Sequence, residues 1–382
     1  PTETRSQGSG SCGVPGALHK GGVMSEKPIL KSHRRPGIET TVVSVGTVKF
    51  GDGSYPVVAG PIAVESEDQI VDAARIVAEN GGSILRAGTY LAGSSPYAYR
   101  GLGSEALWML EHAGRESRLP VSTEVLEPDH IDVVAEHVDI IEVGPDNMQN
   151  FVLLRAVGGT KRPIIIHRAS AATIDEWLLA AEYVLDAGND DVILCERGSR
   201  GFDPRTTDTI DISAIPTVQR MSHLPVIVDP SPTAGHPELI QPLALAARSA
   251  GADGLVVPFH PDPAGALAGN GSHLDPERFT ALMEALGIPS LRDEIDRIDR
   301  QVIRLLGRRL RNSVDIARIK AVRDLALRSP EREAELIAEM REEAAAVGMD
   351  PDYADELMNV VLRHSRAAQA KAVGKGGEPV VG

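Results

Sequence analysis

Short runs of apolar residues, rich in Val and Ile, recur through the middle of the chain. They read YPVVAGPIAV, SILRAG, LPVSTEV, VDIIEVG, RPIIIHR, DVILCERG, LPVIVDPS and DGLVVPFH. Between them lie stretches in which apolar residues recur with the period of a helix, such as EDQIVDAARIVAEN and TIDEWLLAAEYVLDA. Strands that are apolar at nearly every position and alternate with helices indicate parallel strands buried on both faces.

These strand–helix units predict an α/β fold, a closed (β/α)8 TIM barrel, in a domain that we place at residues 26–288. A doubly wound open sheet is the alternative, but no GxGxxG sequence follows the first strand. In a TIM barrel the loops after the strands build the active site. Two strand ends here carry a proline instead of a reactive side chain, at Pro232 and Pro258.

The pattern changes near residues 286–290, where helical periodicity takes over. A long amphipathic helix is predicted first, followed by a helix that starts at Ser329-Pro330 and a third that runs from Asp350-Pro351 to about Ala372. The apolar stripe of the long helix consists of Ile295, Ile298, Val302, Leu305, Leu306 and Val314. Because three helices of such unequal length do not easily close a core, we expect this all-α domain, residues 289–373, to dimerise through the long helix.

Charge and composition narrow the possible partners. The net charge of −15 argues against nucleic acid or an anionic membrane surface, although local arginines can still bind a small anion. The two cysteines, Cys12 and Cys195, make no disulfide framework, and no apolar run is long enough to span a bilayer. We therefore expect a cytoplasmic protein, with a disordered leader at residues 1–25 and a disordered tail at residues 374–382.

The helical region resembles the all-helical class of chorismate mutases over residues 290–372. The resemblance is carried by seven polar positions on three helices, in register and without a gap: Arg292, Arg309, Lys320, Arg332, Glu333, Ser365 and Gln369. A lone Arg or Lys on a helix is usually only part of a solvated face, so the weight lies on the set as a whole. One position departs from the family, because Ser329 stands where an acidic residue is common. Ser329 is either a helix N-cap or a residue that relaxes selectivity beside the ring hydroxyl.

The resemblance implies a role for each of these side chains. Conversion of chorismate to prephenate is a pericyclic rearrangement, so the enzyme has only to hold a dicarboxylate in its reactive conformer and stabilise developing charge. Arg292 from a partner chain, Arg309 and Arg332 would bind carboxylates through their guanidinium groups. The catalytic set would be Lys320 and Gln369, which donate to the ether oxygen, and Glu333, which accepts from the ring hydroxyl with Ser365 nearby.

The barrel resembles the 3-deoxy-arabino-heptulosonate 7-phosphate (DAHP) synthases over about residues 38–286. The stretches GPIAVES, LRAGTYLAGSSPYAYRGLG, EVGPDNMQNF, VILCERGSRGF, LPVIVDPS and the HPDP turn carry the resemblance. Those synthases condense phosphoenolpyruvate with erythrose 4-phosphate, using a divalent metal held by Cys, His, Glu and Asp. The matching positions here are Ile62, Pro232, Pro258 and Gly269, and none of them has a ligating side chain. We therefore expect no metal, no cofactor and no DAHP synthase activity.

The phosphate-binding positions of the synthases are also depleted. Leu91 to Ser95 replace a stretch that contains a lysine and an arginine, Asp146 replaces a phosphate-binding arginine, and His167 replaces a lysine. The arginines that remain at the predicted barrel mouth are Arg86, Arg168, Arg197 and Arg200. They are either a residual anion site or structural polar residues, and fold-level analogy does not decide between these readings.

Three hypotheses about function follow. The first is a chorismate mutase whose barrel is a scaffold or a regulatory module, acting on chorismate or a chorismate-like molecule as a homodimer or homotetramer. The second adds a new metal-free activity of the barrel on a shikimate-type or sugar-phosphate ligand. The third is a non-catalytic protein that regulates an authentic DAHP synthase by hetero-association. The intact mutase set favours the first hypothesis, and the retained arginines favour the second.

Overall fold

The computed structural model of the chain describes residues 30–34, 37, 40–93, 95, 97–203, 208–269 and 272–374. The side chains of residues 291, 292, 294 and 297 are not part of this description. The predicted leader at residues 1–25 and all but residue 374 of the predicted tail therefore lie outside the described residues, as does the side chain of Arg292.

Two short strands precede the barrel: β1 (Val43–Val45) and β2 (Val48–Phe50). Eight parallel strands then close into the predicted barrel, in the order β11-β12-β3-β4-β5-β6-β7-β8. They are β3 (Val57–Gly60), β4 (Ile84–Arg86), β5 (Val121–Glu124), β6 (Ile140–Val143), β7 (Ile164–His167), β8 (Val192–Glu196), β11 (Val226–Val228) and β12 (Leu255–Pro258). A second short antiparallel pair, β9 (Ser199–Arg200) and β10 (Asp208–Thr209), lies between β8 and β11. The α/β barrel fold class read from the apolar runs is confirmed.

Nine α-helices accompany the strands among the described residues of this region. They are α1 (Glu67–Glu79), α2 (Ser104–Ser117), α3 (Ile131–His137), α4 (Phe151–Gly158), α5 (Ile174–Asp186), α6 (Ala214–Met221), α7 (Ser231–Ala234), α8 (Ile240–Ser249) and α9 (Pro276–Ala285). Their apolar faces and the outer faces of the strands form one large core, which includes Leu107, Leu154 and Trp177. Thr173 and Glu176 cap α5 reciprocally in the manner of a capping box, which fixes where this helix begins.

The β1–β2 hairpin closes one end of the barrel. Val43, Val45 and Phe50 pack in a single buried cluster with inward-facing strand residues that include Ile84 and Ile140, the first residues of β4 and β6. The apolar seal therefore lies at the end where the strands begin. The opposite end, where the strands of a TIM barrel present their functional residues, is therefore the end available to polar side chains.

Three helices follow the barrel, as predicted: α10 (Leu291–Val322), α11 (Pro330–Ala346) and α12 (Pro351–Ala372). Each begins at a polar N-cap whose side chain accepts a backbone N–H, namely Ser290, Ser329 and Asp350. Among the described side chains of these helices, the buried hydrophobic ones are Ala317, Ala344, Ala354 and Leu362. Four residues of the predicted apolar stripe on α10 are exposed instead: Ile295, Ile298, Val302 and Leu305.

The chain divides into two compact units, with the boundary between Phe279 and Thr280 and with Ala78–Gly81 grouped with the second unit. Within the described residues, no helix has both the length and the apolar character needed to cross a membrane.

Candidate functional site

A cavity of about 510 Å³ lies among α10, α11 and α12. Seven residues that were singled out from the sequence line it: Arg309, Lys320, Ser329, Arg332, Glu333, Ser365 and Gln369. The eighth, Arg292, lies at the start of α10, and its side chain is outside the described part of the chain. The sequence thus predicted a set of side chains, up to 60 residues apart along the chain, that the fold brings to one cavity.

Ser365 orients Arg309 in this cavity. The guanidinium Nη1 of Arg309 donates to Ser365 Oγ at 2.8 Å, and Ser365 Oγ donates to the carbonyl of Val361 at 2.9 Å. Ser365 is 5% exposed, so its hydroxyl is a fixed, buried acceptor. No carboxylate pairs with Arg309 among the described residues. Its charge therefore remains available for an anionic ligand.

Within the described part of the chain, Lys320 and Gln369 hydrogen-bond to neutral groups. Lys320 Nζ donates to the carbonyl of Leu327 at 3.4 Å, a long hydrogen bond. Gln369 Nε2 donates to the carbonyl and the hydroxyl of Ser313, at 3.1 and 2.8 Å. Donors held by neutral acceptors can be redirected to a ligand oxygen without separating an ion pair. Both side chains can therefore offer N–H donors to an oxygen of a ligand.

Glu333 is bound by two arginines that the sequence analysis did not single out. Arg366 Nη1 donates to Glu333 Oε2 at 3.1 Å, and Arg328 Nε donates to the same oxygen at 3.4 Å. Arg366 also lines the cavity. An arginine on an amphipathic helix carries no signal of its own in a sequence. The position of Arg366, one residue after Ser365 and three before Gln369, was the clue that the sequence offered.

Ser329 acts as the N-cap of α11. Its hydroxyl accepts the backbone N–H of Arg332 at 3.4 Å, which is one of the two roles considered for it from the sequence. The Arg332 side chain pairs with Glu335 and Glu339 of its own helix, at 3.0 and 3.3 Å, and is largely exposed. In this state Arg332 is engaged with neighbours along its helix, so a carboxylate of a ligand would have to compete for it.

At the mouth of the barrel the charged side chains pair with one another. Arg86, the last residue of β4, donates through Nε and Nη2 to the two carboxylate oxygens of Glu142, at 3.3 and 3.0 Å. Ser122 Oγ and His167 Nε2 complete the contacts of that carboxylate, at 2.7 and 2.9 Å. Burial raises the pKa of Glu142, but the charge of Arg86 and the hydrogen bond to His167 outweigh burial and hold the pKa well below its ordinary value. Arg86 is thus neutralised internally.

The other three arginines predicted for a barrel anion site do not form one cluster. Arg168 Nη1 donates to Glu196 Oε2 at 2.7 Å, and Arg197 Nη2 lies 3.7 Å from Asp229 Oδ2. Arg200 lies in β9 and is exposed. A cavity of about 250 Å³ is lined by Arg168 and Arg197, and also by Asp146, Asp208 and Pro232. Two cations therefore share this cavity with two carboxylates.

Glu124, the last residue of β5, is the acid at the mouth whose pKa is raised. Burial is the main cause and the neighbouring charge of Glu142 adds to it, so that the pKa of Glu124 rises to about 7. Arg86 and Arg197 oppose this shift, and Asp146 reinforces it. Glu124 is half-buried, and because its raised pKa favours the protonated form in the folded state, we expect its ionisation to destabilise the barrel as the pH rises through neutrality.

The metal positions of the synthases do not fit a metal ion in this chain. Ile62, Pro232, Pro258 and Gly269 offer no ligating side-chain atom. Among the described residues, no three His, Cys, Asp or Glu side chains are grouped so that they could hold a metal. Pro258 instead ends β12, where its carbonyl accepts the N–H of Leu274 at 2.9 Å.

The space beside Gly269 is filled by other side chains. A Cβ at this position would lie 2.5 Å from Ile62 Cδ1 and 2.6 Å from His273 Cε1, and the backbone has φ +90°. His273 is held there because its Nε2 accepts the backbone N–H of Ile62 at 3.1 Å. Burial lowers the pKa of His273 to about 4, so the imidazole is neutral near pH 7. A side chain at residue 269 would therefore need Ile62 and His273 to shift and would adopt a strained backbone conformation.

Two protein families match the two parts of the chain. The DAHP synthetase I family matches residues 35–288, and chorismate mutase type II matches residues 291–370. These ranges contain the barrel and the three-helix cavity, respectively.

Relatives and solved structures agree with the barrel assignment. The phospho-2-dehydro-3-deoxyheptonate aldolase of Thermotoga maritima is 42% identical over 248 residues, which are 65% of this chain and 73% of that protein. A 2-dehydro-3-deoxyphosphooctonate aldolase of Acidithiobacillus ferrooxidans is 31% identical over 229 residues, covering 55% of this chain and 80% of its own length. The crystal structure of the Thermotoga maritima DAHP synthase matches with a TM-score of 0.66 at 40% identity, over 69% of this chain and 77% of that one. The chain therefore belongs to the DAHP synthetase I family, with a chorismate mutase type II domain following the barrel.

Proposed function

We propose that this protein is a chorismate mutase that converts chorismate to prephenate in the cavity among α10, α11 and α12. The observation that carries the proposal is the convergence of seven side chains, chosen from the sequence alone, on that one cavity. The charge of the cavity supports it, since Arg309 and Lys320 contact neutral partners and can bind a dicarboxylate.

In the proposed mechanism the protein supplies geometry and charge rather than a reactive group. Arg309, held by Ser365, binds a carboxylate and selects the compact conformer in which the reacting carbons approach. Lys320 and Gln369 leave Leu327 and Ser313 and donate to the ether oxygen as its bond to the ring breaks. Because this oxygen gains charge chiefly in the transition state, the two donors stabilise the transition state more than the substrate.

The direct experiment is to incubate the purified protein with chorismate and to follow the products by NMR. We expect chorismate to disappear and prephenate to accumulate. If chorismate persists under conditions in which circular dichroism shows folded helices, the mutase proposal is wrong, and the regulatory hypothesis then takes its place.

We further propose that the active unit is at least a homodimer. The exposed apolar side chains of α10, including Ile298 and Val302, support this proposal because a second copy of the helix would bury them. The resemblance to the chorismate mutases also implies that Arg292 reaches the pocket from the partner chain. Mixing Arg292→Ala chains with Glu333→Ala chains should then restore activity, since one hybrid pocket carries neither lesion. Inactive mixtures after verified subunit exchange would contradict a shared pocket.

We also propose that the barrel has no DAHP synthase activity. The 42% identity to a phospho-2-dehydro-3-deoxyheptonate aldolase over 248 residues speaks for a working synthase. The metal positions speak against it, and we give them more weight because a fold can persist after the residues of its site have changed. Ile62 and His273 occupy the space beside Gly269, so the loss involves several packed residues and not a single side chain.

A metal-free ligand site in the barrel is the second candidate function. One observation favours it: Arg168 and Arg197 line a common cavity, and the Nε of Arg197 is buried without a hydrogen-bond partner in the described structure. Asp146 and Asp208 line the same cavity and repel a phosphate. Calorimetric titration with phosphoenolpyruvate tests this candidate, and saturable binding that Arg197→Met abolishes would establish it. The regulatory alternative would be tested by co-purification with an authentic DAHP synthase.

A further inference from the structure

Glu333 lies among several cationic side chains in the helical cavity. Among the described side chains that line the helical cavity, Glu333 is the only carboxylate, beside five cations: Arg308, Arg309, Lys320, Arg332 and Arg366. Its Oε2 accepts from Arg366 at 3.1 Å and from Arg328 at 3.4 Å. Its Oε1 accepts no hydrogen bond from any described residue. One oxygen is thus held by two guanidinium groups, while the other is free to meet a ligand.

We propose that Arg366 is a positioning residue that makes this pocket select a hydroxyl over an ammonium group on the ring of its substrate. The pocket would therefore take chorismate in preference to 4-amino-4-deoxychorismate. The inference rests on the proposed mutase function, because it concerns which member of the substrate class the same pocket prefers.

The chemistry of chorismate indicates which part of it meets Glu333. Chorismate has two carboxylates, an ether oxygen and one hydroxyl, and the hydroxyl is its only hydrogen-bond donor at neutral pH. The cations of the pocket suit the carboxylates, so the single acceptor carboxylate is left for the single donor. Arg366 and Arg328 donate hydrogen bonds to Oε2 of Glu333 and thereby fix the direction in which Oε1 points.

The same two arginines oppose an ammonium group at this position. One carboxylate flanked by two guanidinium groups is a locally positive environment, so a cation placed against Oε1 gains little from Glu333 and is repelled by its neighbours. The adjacent N-cap Ser329 adds no negative charge. Arg332 does not change this balance, because it is paired with Glu335 and Glu339 on the exposed side of α11.

The first arm of the experiment measures kcat/KM of the wild-type full-length protein for chorismate and for 4-amino-4-deoxychorismate. We expect chorismate to be favoured by about 10-fold or more, the range that a repulsive contact gives to a specificity ratio. A wild-type preference for the amino compound overturns the proposal while leaving mutase activity in place. If neither compound is turned over, the proposed function itself fails, and this inference fails with it.

The second arm tests whether Arg366 is responsible. Arg366→Met keeps the apolar stem and removes the charge, and it should lower the ratio of the two kcat/KM values by about 10-fold, mainly by gain on the amino compound. Arg366→Lys should retain most of the wild-type ratio. Arg363→Met, an exposed arginine one turn earlier on α12 that does not line the cavity, is the matched control and should leave the ratio unchanged. An Arg366→Met ratio equal to that of the control would contradict the proposal, because a purely structural arginine changes both substrates alike.

Discussion

Two cations of the helical cavity and two arginines of the barrel mouth have partners of opposite kinds. In the helical cavity Arg309 is held by a serine hydroxyl, and Lys320 is held by a backbone carbonyl. At the barrel mouth Arg86 is paired with Glu142, and Arg168 with Glu196, at 3.0 and 2.7 Å. In the helical cavity the positive charge of these side chains remains available to a ligand, whereas at the barrel mouth carboxylates of the protein neutralise it.

This difference teaches that the residue type alone does not identify an anion site. A buried arginine that already has a carboxylate partner is costly to separate from it, so an incoming phosphate would have to replace that partner. An arginine on a neutral acceptor exchanges a modest hydrogen bond for a strong charged one. The partner of each cation is therefore a better guide to function than the cation itself.

The largest effect that we predict is at Lys320. Lys320→Ala should lower chorismate turnover by about 100- to 1000-fold, equivalent to roughly 3–4 kcal/mol, because it removes a donor that acts in the transition state. Arg318→Ala on the same helix removes a cation that is paired with exposed Asp315, and it should have little effect. Initial rates with circular dichroism as the folding control decide the point. A folded Lys320→Ala protein with wild-type turnover would show that the site is assigned wrongly.

Gly269→Asp probes whether the barrel can regain a lost ligand. The new Cβ would crowd Ile62 and His273, so we expect the barrel to be destabilised by about 1–3 kcal/mol and to bind no divalent metal. Gly53→Asp is the matched control, because Gly53 has φ +92° with open space around it and so reports the backbone strain alone. Both tryptophans, Trp108 and Trp177, lie in the barrel, and their fluorescence follows its unfolding. Stoichiometric metal binding by the Asp variant would contradict a filled site.

Glu124→Gln should change the way in which the stability of the barrel depends on pH. The folded pKa of about 7 lies above the ordinary value of 4.5, so folding favours the protonated acid. The stability that depends on this proton is fully present below about pH 4.5 and is lost as the pH rises through 7. We therefore expect the variant to match wild type near pH 5 and to exceed it by about 1–3 kcal/mol at pH 8.

Denaturant unfolding followed by tryptophan fluorescence at the two pH values measures this effect. Glu127→Gln, an exposed acid in the loop that follows, is the control and should show the same small difference at both. If Glu124→Gln changed the free energy of unfolding by the same amount at pH 5 and at pH 8, the pKa of Glu124 would not be raised in the folded protein.

Ser329→Asp should have the smallest effect. Aspartate caps a helix as well as serine does, so α11 and the stability of the domain should be preserved. Chorismate turnover is expected to be unchanged or improved, within about threefold, well below the transition-state losses typical of a removed donor. A fall of more than about tenfold would show that the hydroxyl of Ser329 contributes directly to the reaction.

The elements of both domains were predictable from the sequence because their signals are local. Apolar runs at each strand and polar caps such as Ser329 and Asp350 are read within a few residues. The β1–β2 hairpin also had a local signal that was missed, since Gly46-Thr47 joins two short alternating segments, VSV and VKF. Family register, rather than periodicity, located the mutase residues.

The partners of the charged residues were not predictable in this way. Arg86 and Glu142 are 56 residues apart, and Arg366 and Glu333 are 33 apart. Such pairs depend on how strands and helices are arranged in space, which a single sequence does not specify. For this reason the sequence grouped the four barrel arginines as one site, whereas in the described structure Arg168 and Arg197 line a cavity that neither Arg86 nor Arg200 lines.

The most direct test of the contrast between the two regions is to assay one preparation of the protein for both reactions. We predict that chorismate is converted to prephenate, and that phosphoenolpyruvate is not consumed with erythrose 4-phosphate in the presence of Mn²⁺, Mg²⁺, Zn²⁺ or Co²⁺. Metal-stimulated consumption of phosphoenolpyruvate at roughly 1 per second or faster, a typical enzymatic rate, would contradict it.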